Sequence, residues 1–142
     1  MGHRKVLDKL NAYNKNTLME TLDITYTEVG EDYLVASMPV NERVHQPMGL
    51  LHGGASVALA ESVGSAASLH FLDPSQGEVR GIEISANHVR SIRQGVVHAK
   101  ARLMHKGRTT LLWEIRITDE KDRLISLCKL TCILLQKTKA DR

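Results

Sequence analysis

Gln46-Pro47-Met48-Gly49-Leu50-Leu51-His52-Gly53-Gly54-Ala55-Ser56-Val57-Ala58-Leu59-Ala60-Glu61-Ser62 is the stretch that decides how this chain folds. A loop punctuated by Pro47 and Gly49 runs into His-Gly-Gly. From Gly53 the residues are small and apolar until Asp73-Pro74-Ser75-Gln76-Gly77, a clear stop. The stretch predicts one long helix over 53–71. Between Gly53 and Leu72 only Glu61 and His70 can ionise. A helix that is apolar nearly all round needs other structure wrapped about it. A carboxylate in its middle is either part of a solvated stripe or a group with a task, because charge is rarely buried without one.

The rest of the chain reads as strands. Residues 22–29 and 33–40 alternate around the turn Gly30-Glu31-Asp32 and predict a hairpin. After the helix, runs at 79–87, 95–104, 109–118 and 124–135 follow, the last two joined by the polar turn Asp119 to Arg123. Short connections between neighbours imply antiparallel pairing. Residues 4–15 predict a short polar helix, and 136–142 a solvated tail. The expected architecture is α+β, with one long central helix wrapped by an antiparallel sheet of about six strands. The whole of 1–142 is read as a single domain whose core spans about 18–135.

Bulk properties bound the function. The 142 residues are 42% hydrophobic and 25% charged, enough for one real core and unlike a disordered chain. Met1 to Asn16 has no apolar signal-like segment and no stretch is suited to span a bilayer, so a cytoplasmic protein without a membrane partner is expected. Cys128 and Cys132, four apart in a strand, lie about 13 Å from each other, too far for a disulfide. The seven histidines form no HxH or HxxxH pair and there is no CxxC, so no metal site is expected. Seven of the basic residues, Arg80, Arg90, Arg93, Lys100, Arg102, Lys106 and Arg108, gather between 80 and 108, within a net charge of +3. That suits a phosphorylated small ligand better than nucleic acid, since the five aromatics do not alternate with them as a stacking surface requires.

With those residues in view, the chain resembles the hotdog-fold acyl-CoA thioesterases. The likeness is strongest to the group of the bacterial 1,4-dihydroxy-2-naphthoyl-CoA and enterobactin proofreading thioesterases, within the phenylacetate-type superfamily. The resemblance covers about 18–135. It is carried by Met38-Pro39-Val40, Gln46 to Ser65, Gly81-Ile82-Glu83-Ile84, Ala86 to Ser91, and Asp119-Glu120. It implies a catalytic carboxylate at Glu61, acting as nucleophile or general base. It implies that the Gly53 N–H polarises the thioester carbonyl, that Gln46 and His52 position the thioester, and that Ser65 holds the hydrolytic water. Gly81, His88, Val89, Arg90, Ser91 and the loop His105, Lys106, Gly107, Arg108, Thr109 and Thr110 would bind substrate and CoA. No cofactor is implied, CoA being part of the substrate, and the relatives form homodimers that pair into homotetramers. An acyl-carrier-protein thioester is the alternative donor. Ala66 to Gln76 and Met1 to Thr17 depart from the pattern, which leaves the acyl group open.

Elementary chemistry supports the same residues. The first N–H groups of a helix have no internal partner and sit at the positive end of its dipole. Ser65 is one turn beyond Glu61 on the same face. Each residue also has a plainer reading. His52 caps the helix start, Ser65 bonds back one turn, His88 is a turn residue, Arg90 and Arg108 are solvated, and Trp113 and Met38 are core. A hotdog dehydratase would rely on a catalytic His, and a non-catalytic acyl-CoA binding module would have no use for Glu61. Gly53 and Glu61, eight residues apart, are separated by about 12 Å of helix. One helix cannot place both at one carbonyl, so the site is expected to be shared between two copies.

Overall fold

The protein, seen here as a computed structural model, is described over residues 2–136; the last six residues of the expected C-terminal tail lie outside them. In chain order the elements are α1 (His3–Ala12), α2 (Leu18–Thr21), β1 (Thr25–Val29), β2 (Tyr33–Val40), α3 (Gly53–Phe71), β3 (Glu78–His88), β4 (Gly95–Lys106), β5 (Thr110–Thr118) and β6 (Leu124–Leu135). The six strands make one sheet in the order β1-β2-β4-β5-β6-β3, and every neighbouring pair is antiparallel.

α3 lies on the inner face of that sheet. Its residues Ser56, Leu59, Ala60, Val63, Gly64 and Ala67 recur at helical spacing and are buried. Gly64 sets how close the helix comes: a Cβ there would stand 2.5 Å from Leu130 Cδ2 of β6. The strand residues beneath it, among them Met38, Val97, Trp113, Ile115 and Leu130, are fully buried. The opposite face of α3, with Ala58, Ser65 and Leu69, stays partly accessible, with Glu61 at its border over the edge of the sheet. Cys128 and Cys132 sit on the inner face of β6 as free, buried thiols.

α3 keeps the boundaries its sequence predicts. The first strand does not: it starts at Thr25 rather than residue 22. Leu18–Thr21 closes a helical turn, Asp23 takes a left-handed φ of 55°, and the Ile24 N–H is spent on the Met19 carbonyl, 2.8 Å away. α1 is also shorter than expected, because Asn11 and Asn14 turn their amides onto the edge of β1. Asn11 bonds both the N–H and the carbonyl of Tyr26, at 2.8 and 3.0 Å, and Asn14 donates to the Ile24 carbonyl at 3.0 Å. This covers one sheet edge. The outer edge of β3, at the other end, has no strand beside it among the described residues.

Candidate active site

Glu61 projects from the middle of α3, half-buried, over the edge strand β3. Gly81 makes room for it: a Cβ at Gly81 would stand 2.8 Å from Glu61 Oε1. A bulge between Gly81 and Glu83 bends the strand at this point. The carboxylate also reaches the underlying strand electrically. Burial pushes the Cys132 thiol above its ordinary pKa, the Ser68 hydroxyl pulls against that, and the Glu61 charge adds to the rise.

Glu61 opens into a cleft of about 570 Å³. α3 contributes Gly54, Val57, Ala58, Ser62, Ser65, Ala66 and Leu69, while Leu10, Tyr13, Asn14, Leu18 and Met19 come from the N-terminal segment and Tyr26 from β1. The lining is mostly apolar, with Glu61 and Ser65 among its few polar groups. Ser65 departs from the plain reading of a helical serine. Ser62 and Ser68 both bond back one turn, to the Ala58 and Gly64 carbonyls at 2.6 and 2.9 Å. The Ser65 hydroxyl forms no such bond and has no partner among the described residues. It is free to hold a water beside Glu61.

A second, smaller pocket of about 240 Å³ lies at the start of α3, lined by Gln46, Leu50, Leu51, Gly53, Ser56, His88, Val89, Arg90, Ser91 and Ile125. Here His52 does what its plainer reading says: its Nδ1 accepts from the Gly54 N–H at 2.8 Å and caps the helix. That capping leaves an Nε2–H on the exposed side of the ring. The Gly53 N–H, by contrast, has no partner among the described residues. Gly53 is required sterically, because a Cβ there would stand 2.8 Å from His88 Nε2. Gln46 spends its side-chain oxygen on the Met48 N–H, which tightens the loop entering the helix.

The remaining predicted residues lie elsewhere. Lys106, Gly107, Arg108 and Thr110 line a third opening of about 450 Å³ with Leu72, Ser75 and Gln76, beyond the far end of α3. His105 and Thr109 are exposed beside it. Gly53 and Phe71, the ends of α3, are about 27 Å apart along its axis. So the 88–91 and 105–110 segments, expected to bind one CoA, stand at opposite ends of the helix within a chain. Gly81 sides with Glu61 rather than with His88. Asp119 and Glu120 have structural work. Asp119 organises the β5–β6 turn, and Glu120 accepts the Val96 N–H at 2.8 Å.

Sequence reasoning gave Val57 no role and flagged the 66–76 segment without singling out Leu69, although both lie one or two turns from Glu61 on its face. It flagged the N-terminal segment without naming Tyr13, Asn14 or Tyr26, which join the cleft only through tertiary packing. Among the described residues no group of His, Cys, Asp and Glu is arranged to hold a metal, and no helix is long and apolar enough to cross a membrane.

Comparison with known proteins identifies the family. Residues 48–126 match the thioesterase superfamily. The 1,4-dihydroxy-2-naphthoyl-CoA hydrolase of Escherichia coli is 46% identical over 93% of this chain and 97% of its own. The proofreading thioesterase EntH of Cronobacter sakazakii is 47% identical over 91% of this chain and 93% of its own. The crystal structure of a mutant thioesterase from Pseudomonas aeruginosa superposes with a TM-score of 0.90 at 45% identity, covering 92% of this chain and 94% of that one. A matched superfamily over more than half of the chain, near-complete alignment to named thioester hydrolases and the helix-in-sheet architecture agree: the chain belongs to the thioesterase superfamily, as a hotdog-fold thioester hydrolase.

Proposed function

We propose that this enzyme hydrolyses an acyl-CoA thioester whose acyl group is aromatic or of similar shape, 1,4-dihydroxy-2-naphthoyl being one candidate. The observation that carries this reading is Glu61: a carboxylate on the wall of a mostly apolar cleft, beside a serine hydroxyl with nothing to bind. The acyl group would fill the cleft of about 570 Å³, a size suited to a ring system. The carbonyl would lie against the Gly53 N–H, where an aimed donor is worth about 10²–10³ in rate. Gln46 and His52 would hold the thioester at the same helix start, His52 through its free Nε2–H. On one route Glu61 attacks the carbonyl carbon, the C–S bond breaks, and the water on Ser65 then cleaves the mixed anhydride to the carboxylic acid and free Glu61. On the other, Glu61 draws a proton from that water, whose oxygen attacks the carbonyl carbon as the C–S bond breaks. On both, one water is consumed, its oxygen ends in the acid, and the thiolate leaves as the CoA thiol by taking up a proton. No cofactor takes part in this scheme.

The site would be assembled from two copies. Gly53 and Glu61 of one helix are too far apart to act on one carbonyl, and antiparallel packing of two α3 helices brings each Glu61 near the other copy's helix start. The same pairing would let the 88–91 segment of one copy and the 105–110 loop of its partner hold one CoA, with Arg90 and Arg108 on its phosphates. Such dimers would pair into tetramers. Free Cys128 and Cys132 suit the reducing cytoplasm.

The test is thiol release from benzoyl-, dihydroxynaphthoyl- and fatty acyl-CoA by the wild type and by Glu61→Gln. The aryl esters should turn over fastest, and Glu61→Gln should lower kcat at least about 10²-fold with the fold intact. Wild-type turnover by a folded Glu61→Gln protein would remove this mechanism, and fatty acyl-CoA as the preferred ester would remove the acyl assignment.

A further inference from the structure

Ser126 has no place in the reading above, yet it holds one of the residues at the helix start. It stands on β6 directly opposite His88 of β3, on the inner face of the sheet, and is fully buried. Its Oγ lies 2.9 Å from His88 Nδ1 and 3.2 Å from the Asn87 carbonyl oxygen. A carbonyl can only accept, so both contacts are hydrogen bonds only when the serine proton goes to Asn87 and Ser126 Oγ accepts from His88 Nδ1–H. Cys128 Sγ, 3.5 Å from the same oxygen, is a weaker acceptor and can itself donate, so it leaves this order unchanged.

The consequence falls on the other ring nitrogen. With Nδ1 protonated, neutral His88 carries its lone pair on Nε2. Nε2 lies over the start of α3, 2.8 Å from where a Gly53 Cβ would be, in the pocket shared with Gln46 and Arg90. It has no hydrogen-bond partner among the described residues. His52, at the same helix start, has the opposite tautomer, because its Nδ1 accepts from Gly54. One ring therefore offers a donor and the other an acceptor.

We propose that Ser126 is a positioning residue that locks His88 in the Nδ1–H tautomer, so that Nε2 is presented as a hydrogen-bond acceptor for an N–H on the thiol side of the substrate. The thiol arm of an acyl-pantetheine ester carries such an amide two carbons beyond the sulfur. In the other tautomer Nε2–H would face that amide N–H donor to donor. The kinetic consequence rests on the thioester reading of this site; the tautomer does not, and is measured without substrate.

The experiment is long-range ¹⁵N–¹H correlation of the histidine rings, with His88 assigned by its loss in His88→Ala. The wild type should show His88 protonated at Nδ1 and bare at Nε2, and Ser126→Ala should move the proton toward Nε2. With an aryl-CoA, Ser126→Ala should raise KM about 3- to 10-fold with kcat within about 2-fold. Ser126→Thr, which keeps the hydroxyl, should recover most of the loss. In the His88→Ala background the same substitution should change KM less than about 2-fold. An Nε2–H tautomer in the wild type would overturn the proposal, as would an unchanged tautomer in Ser126→Ala or an equal loss in the absence of His88. Should Ser126→Ala not fold, the wild-type spectrum and Ser126→Thr still decide. Absence of acyl-CoA turnover would sink the thioester reading and leave the tautomer result standing.

Discussion

Glu61 works, in this account, because of what is missing next to it. Gly81 has no side chain, and the carboxylate occupies the space that a Cβ would take. Gly81→Ala should therefore push Glu61 aside, while meeting Leu130 Cδ1 of the core at an ordinary contact distance of 3.4 Å. The expected result is a fall in kcat of roughly 10- to 100-fold, since small displacements of a catalytic group cost that much, with thermal stability close to wild type. Equal loss of stability and activity would mean that Gly81 serves the strand rather than the carboxylate. At this scale the sequence was informative where a residue's environment is set by its own element. The Glu61–Ser65 pair follows from helical spacing, and the open Gly53 N–H from its place at a helix start. His52 was legible only as two alternatives, and its bond to Gly54 shows that capping and presenting an Nε2–H are compatible. Ser126 gave no signal at all, because its partner lies 38 residues away across a strand pair.

Among the elements, α3 is the most readable, since composition, a capping residue and the stop at Asp73-Pro74 all agree on its ends. The β1 boundary was not readable. Leu22, Ile24 and Tyr26 alternate as a strand would, but the turn at Asp23 is held by local backbone bonds to Glu20 and Met19 and by the Arg43 guanidinium on the Asp23 carboxylate, which alternation does not encode. The β5–β6 turn is a case where a charge run has a definite structure. Asp119 is nearly buried, its Oδ1 accepting from the Lys121 and Arg123 N–H groups at 2.9 Å and its Oδ2 from Arg123 Nε at 2.7 Å. The Arg123 N–H above all, then its guanidinium and the Lys121 N–H, hold the carboxyl below its ordinary value of 3.8, against burial, which raises it. A carboxyl depressed in the fold stabilises it above the unfolded pKa, and that contribution is lost as pH falls through the lower folded value. Asp119→Asn should therefore lower the thermal midpoint at neutral pH. The gap to wild type should hold down to about pH 4 and close below it. A gap that persisted unchanged into strong acid would show that the turn does not depend on this charge.

On the scale of the whole molecule, the residues assigned to one reaction are spread over three openings of a single chain. Glu61 and Ser65 face the large cleft, Gln46 and Gly53 face the pocket at the helix start, and Arg108 stands beyond the helix end. Helix rise alone gave this separation from sequence. Complementation between copies tests this shared site directly. Gln46→Ala and Glu61→Ala, each inactive alone, are mixed by co-refolding and assayed for thiol release. Random pairing makes half of the dimers mixed, and each of these holds one intact site, with Gln46 from one copy and Glu61 from the other. About a quarter of wild-type activity should return. If neither the mixture nor its purified heterodimer recovers activity, the site is built within one chain and the shared geometry is wrong.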